Sequence, residues 1–128
     1  MSIKLVREDD TYEVEYPQEG VEKDKAVVFV LRKLTAGKWN YIQDSIVLTH
    51  GTGRGGSSMK YLGGTATRMK IDYCLVNWKN VIDDSGVQVN CTSENKLKLP
   101  QDIQGWLEDR IDDDNYLKGV GEEERKNS

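Results

Sequence analysis

The chain has 128 residues, 37% hydrophobic and 31% charged, with a net charge of −4 at pH 7. That length fits one core and leaves no room for two, and it can bury roughly two-thirds of its unfolded surface without a metal or disulfide. The acidic balance argues against a general nucleic-acid binder, and the composition is too apolar for a disordered chain.

Tyr12, Val14 and Tyr16 alternate with Glu13 and Glu15, the period of a half-buried strand ending at Pro17. A polar connection, Gln18 to Lys25, leads to the continuous apolar run Ala26–Leu31, which predicts a strand buried on both faces. A turn is expected at Ala36–Gly37, an extended piece beginning with Trp39 and Tyr41, and a further strand over Ser45–His50. From Gly51 to Gly64 glycine is so frequent that backbone entropy opposes regular structure, and a mobile loop is expected.

The period then changes. Ile71, Cys74, Leu75 and Trp78 fall at i, i+3, i+4 and i+7, which predicts an amphipathic helix over about 66–79. Asp83–Gly86 reads as a turn before a short strand or hairpin arm through Val87, Val89 and Cys91. Pro100 opens a second helix, about 100–112, with the stripe Ile103, Trp106, Leu107 and Ile111 and a weakening Gly105. Residues 1–117 are read as one domain and 118–128 as a polar, disordered tail, with no internal repeat.

Met1–Glu8 carries no apolar h-region, so no secretory signal is expected, and Ala26–Leu31 is far shorter than the roughly 20 residues of a membrane span. The two cysteines, Cys74 and Cys91, are expected as reduced, buried thiols of a cytoplasmic protein.

No constellation compels a catalytic reading. Gly51-x-Gly53-x-x-Gly56 matches the dinucleotide fingerprint in letters, but Ser57, Ser58 and further glycines follow where a helix should begin. His50, the only histidine, has no nucleophile elbow near it, and Cys74 lies on an apolar stripe. Zinc would need His50, Cys74, Cys91 and a carboxylate to converge from scattered positions, and Asp112-x-Asp114 with Glu123 lacks the glycine of a calcium loop. Neither metal nor cofactor is expected. Between His50 and Ile71 no acidic residue occurs, while Arg54, Lys60, Arg68 and Lys70 are positive and Tyr61 offers a stacking platform. Trp39, with no assigned face, is a candidate interface anchor, and the expected partner-binding set is Trp39, Tyr41, Arg54, Lys60, Tyr61 and Arg68.

One stretch is more distinctive than its composition: Asn77 to Gly86, then Val89 to Asn95, then Leu99-Pro100 and the helix through Trp106. It resembles small proteins of tailed bacteriophages and prophages, in which a helix ends in a Trp-x-Asn-Val segment followed by an Asp-x-Gly turn, a short strand, a Glu-Asn and a final amphipathic helix. Phe29–Thr35 and the polar end, Glu122 to Ser128, are similar too. The resemblance covers the last half well and the first half loosely, and the Gly51–Gly64 stretch has no counterpart. It implies a tail-assembly chaperone-like protein of the host bacterial cytoplasm, which binds a tape-measure or tail-tube protein without chemistry. The shared positions Trp78, Gly86 and Trp106 imply structural roles.

The expected fold class is α+β, an antiparallel sheet from the N-terminal half with two helices packed on one face. The expected function is a non-enzymatic tail-assembly factor. The alternatives are a nucleic-acid-associated phage protein using the basic residues of 50–70, or a small inhibitor whose acidic Glu108–Glu124 region mimics nucleic acid.

Overall fold

The computed structural model describes residues 2–51, 57–61 and 63–117, with the strands inside 47–61 described by their backbone. The fold is α+β. Strands β1 (Thr11–Glu15), β2 (Val28–Arg32) and β5 (Leu75–Lys79) form an antiparallel sheet in the order β1-β2-β5. Between β2 and β5 the chain runs through helix α1 (Ala36–Ile46), a hairpin of β3 (Val47–Gly51) and β4 (Ser57–Tyr61), and helix α2 (Gly63–Cys74). A short α3 (Ser93–Lys96) and α4 (Gln101–Asp114) follow.

The sheet buries one face. Val14, Phe29, Leu31, Leu75 and Trp78 meet Ile42 and Ile46 of α1, Ala66, Ile71 and Cys74 of α2, and Leu107 and Ile111 of α4. Trp106 of α4 lies edge-on to Tyr16, with ring centroids 5.0 Å apart, so α4 covers the β1 side. The Trp78 indole donates to the carbonyl of Val89 at 2.8 Å, which satisfies the one polar atom that the buried ring brings inside.

Several expectations are corrected. The run Ala26–Leu31 is not buried on both faces. Phe29 and Leu31 are buried, whereas Val28, Val30 and Arg32 on the other face are half-exposed. The extended piece expected at Trp39 and Tyr41 is helix α1. Thr35 caps it, its hydroxyl accepting from the amide of Lys38 at 3.1 Å, and Trp39, Ile42 and Ile46 form its inward stripe. Ser45 and Ile46 therefore close a helix, and the strand begins at Val47.

Gly51–Gly64 is not wholly loop. Ser57–Tyr61 pairs with β3, and α2 starts at Gly63, while residues 52–56 and 62 lie outside the described residues. The helix expected over 66–79 ends at Cys74, and Leu75–Lys79 is a strand of the main sheet. That sheet therefore draws its third strand from the second half of the chain. Opposite the step from Val30 to Leu31 of β2, Val76 is the extra residue of a bulge in β5, which lets Leu75 and Trp78 both face the core three residues apart.

The 87–91 arm is reduced to a single bridge, Ile82 with Gln88, closed by the Asp83 turn. Gly86 stands there at φ 78°, a conformation that favours glycine. Pro100 sits just outside α4 at its N-cap, and the helix runs two residues beyond the expected end, to Asp114. The tail, 118–128, lies outside the described residues.

Candidate functional site

Of the expected partner-binding residues, Trp39, Tyr41 and Arg68 are described with their side chains, and they lie in different surroundings. Trp39 is half-buried against the core, with the ammonium of Lys70 5.8 Å from its ring centroid, so it is part of the packing between α1 and α2. Tyr41, on the same helix, is exposed. Lys38 lies between its ring, at 4.9 Å, and that of Tyr73, at 5.1 Å. Arg68 is exposed on the other flank of α2, one turn before Asp72, which accepts from Ser93 and pairs with Lys96 of α3. Lys60 and Tyr61 belong to β4, opposite Leu48 and Val47 of β3, and Arg54 lies outside the described residues.

Lys70 leaves the basic group altogether. It is buried, and its ammonium is 2.9 Å from Asp112 and 3.1 Å from Glu108 of α4. Burial by itself would lower its pKa, but the two carboxylates reverse that and hold it above its ordinary value. Asp112 is raised by its own burial, against the pull of Lys70. Thr67, one turn earlier on α2, donates to Glu108 at 2.5 Å, so α2 and α4 are joined by a polar seam. The sequence carried a signal for it: Lys70 falls on the same side of α2 as Ala66 and Cys74, where a lone cation must find acidic partners.

The groups weighed for chemistry are likewise committed to structure. Cys74 is fully buried and its thiol is pushed up to about 12 by that burial, far from thiolate chemistry at neutral pH. Cys91 is half-buried and also raised by burial. Asp112 holds Lys70, and Asp114 accepts from Tyr12 and Arg110, so two of the three carboxylates of the calcium-like spacing are engaged internally. Among the described residues, no group of three or more His, Cys, Asp and Glu side chains could hold a metal ion. No helix among them is long and apolar enough to cross a membrane.

Two features remain open to a partner. The β3–β4 ribbon forms a two-stranded sheet of its own, inserted between α1 and α2 and meeting the body chiefly where β3 leaves α1. Among the described residues, each of its strands thus keeps an unpaired edge.

The second feature is the outer edge of β1. The amide of Tyr16 donates to Val27 at 2.8 Å, so Tyr12, Val14 and Tyr16 turn their backbone groups toward β2. By alternation, Thr11, Glu13 and Glu15 turn theirs outward, and among the described residues no backbone hydrogen bond meets them there. The opposite edge is closed. The outward amide of Trp78 donates to the Asn77 side chain at 2.9 Å, and that of Asn80 donates to the Gln88 side chain at 3.0 Å. Neither edge is legible from sequence, because strand order is a tertiary property. Comparison of the chain with protein-family models, curated proteins and solved structures identifies no match.

Proposed function

We propose that this chain is a non-enzymatic assembly factor of a phage or prophage tail, active in the host cytoplasm, that holds a segment of a larger tail protein of the tape-measure or tail-tube kind. The observation that carries the reading is the β3–β4 ribbon. A two-stranded hairpin is at best marginally stable alone in water, and among the described residues this one pairs with no third strand. A partner strand added to either edge would satisfy its backbone and stabilise it. The absence of acidic residues from His50 to Ile71, with Arg54, Lys60 and Arg68 positive, favours a partner segment of negative charge. The resemblance of Asn77–Trp106 to small tail-region proteins points to the same class.

The test is capture of the tagged protein from phage-producing cells, in parallel with a variant whose residues 48–60 are replaced by a short Gly-Ser linker. The full chain should retain a long tail protein after nuclease treatment, and the ribbonless variant, folded by circular dichroism, should not. Equal retention by both would remove the ribbon from the function.

A nucleic-acid reading rests on the same basic ribbon, since a two-stranded ribbon fits a major groove. It is weakened by the withdrawal of Lys70 into ion pairs. It predicts DNA or RNA binding that falls steeply with salt, and no shift at low salt would dispose of it. The inhibitor reading is weaker again, because Glu108, Asp112 and Asp114 of the acidic region make internal contacts.

A further inference from the structure

The open edge of β1 has a complement in the chain itself. Residues Ser2–Arg7 form an arm that belongs to no helix or strand, in which Ile3 is 91% and Leu5 83% exposed. Ile3, Leu5 and Val6 are exposed close together, so a surface that covered them would bury apolar area. Their alternation matches β1. Continuing an antiparallel register back from the Arg7–Asp10 turn would set Leu5 against Tyr12, Ile3 against Val14, Lys4 against Glu13 and Ser2 against Glu15. Ile3 and Leu5 would then extend the inward row of Tyr12, Val14 and Tyr16, beneath α4. Lys4 would lie on the outer face beside Glu13 and Glu15. At roughly 3.4 Å per residue the arm is as long as the strand it would join.

The arm does not make this pairing within its own chain, and the turn supplies a reason. Asp10 donates to the carbonyl of Arg7 at 3.2 Å around Glu8 and Asp9, and neither of these has a positive φ. The primed turns that suit the twist of a tight hairpin require one. A groove of about 410 Å³ lies between the arm and the start of β1, lined by Lys4, Leu5, Tyr12 and Lys33 among others. Direct pairing of β1 with a second β1 is no remedy, because centred on Glu13 it sets like charges against each other.

We infer that the β1 edge is an interaction surface for a second copy of this chain, and that two copies exchange N-terminal arms, each adding Ser2–Val6 as a fourth, antiparallel strand to the other's sheet. The turn at Arg7–Asp10 is the hinge, and the exchange is reciprocal about a two-fold axis, as in other swapped dimers. It buries Ile3 and Leu5, satisfies the outward backbone of Thr11, Glu13 and Glu15, and sets Lys4 against Glu13. Glu13 already lies 3.3 Å from Lys79, but that pair is exposed on both sides and leaves the carboxylate open to a second cation.

Sedimentation equilibrium on the full chain, from about 1 to 500 µM, reads the association directly; the range spans the micromolar affinities of weak self-association. A monomer–dimer equilibrium is expected. The double variant Ile3→Asp/Leu5→Asp should be monomeric throughout with unchanged thermal unfolding at low concentration, since both residues are exposed in the single chain. Lys4→Glu should raise the dissociation constant about tenfold, because the charge pair occurs twice per dimer, and Lys4→Glu/Glu13→Lys should recover most of that loss. A wild-type chain that is monomeric over the whole range overturns the inference, including the case where exchange-protected amides reveal an arm folded onto its own β1. So does a dimer that persists in the Ile3→Asp/Leu5→Asp variant.

Discussion

Replacing Lys70 with methionine keeps the length and most of the apolar stem of the side chain while removing the ammonium. What remains are Asp112 and Glu108, two carboxylates on one side of α4, with Thr67 donating to Glu108. Removing one partner of a buried ion pair costs about 3–5 kcal/mol. Here the Asp112 and Glu108 side chains keep 19% and 29% exposure, so water relieves part of the charge and the expected loss at pH 7 is about 2–3 kcal/mol.

The sign of the pH dependence follows from Asp112. Its carboxyl is already raised by burial against the pull of Lys70, and without Lys70 it rises further. A group raised in the folded state contributes stability at pH below its unfolded value and loses it as pH rises through its folded value. The deficit of Lys70→Met should therefore be large at neutral pH and shrink toward pH 4. Urea unfolding followed by tryptophan fluorescence at pH 7 and pH 4 measures both quantities. The added substitution Asp112→Asn should recover more than half of the neutral-pH loss. A cost below about 1 kcal/mol at pH 7, or a cost equal at both pH values, would refute the buried seam as described.

Other consequences are as direct. Cys74 is raised by burial from 9.0 to about 12, so the unfolded thiol loses its proton first and stability should fall between those values. Burial raises Tyr12 and the carboxylates raise Lys70 in the same sense, and Cys74→Ala should flatten the slope of urea stability against pH without abolishing it. Trp39→Ala should destabilise by about 2–4 kcal/mol as a core truncation, whereas Tyr41→Ala should change stability by less than about 1 kcal/mol; thermal or urea unfolding of the pair separates a packing residue from a surface one. Gly86→Ala should cost about 1 kcal/mol through its φ of 78° alone, because an added methyl group meets nothing within 4 Å. A neutral Gly86→Ala in the same assay would mean that the Asp83 turn relaxes.

The fold class was legible because it rests on local pattern. The alternation around Val14 and the stripe of Leu107 and Ile111 carry the period of their elements, and those residues are buried as the pattern requires, whereas the apolar run at Phe29 marked a strand but not its half-exposed outer face. The miss at 75–79 has a specific cause. The bulge at Val76 lets a strand set Leu75 and Trp78 inward three residues apart, which is helical spacing, so the stripe continued across a helix–strand junction. At α1, the alternation of Trp39, Asn40 and Tyr41 fits an extended piece as well as the helical stripe Trp39, Ile42 and Ile46 that follows the capping Thr35.

The candidate surfaces were harder to read. Sequence showed a basic stretch from 50 to 70, but the structure divided it by sending Lys70 inward to α4 and leaving Arg68 outside. By itself, then, the sequence determined what local physics determines: the elements with clear period, the turn at Asp83–Gly86, and a composition able to form one core. Tertiary structure alone decided which strands are neighbours, and with that which edge has its amides met by Asn77 and Gln88 and which, among the described residues, is left open at Thr11, Glu13 and Glu15. Strand order depends on contacts between residues far apart in the chain, such as Phe29 with Trp78, and no local period encodes them.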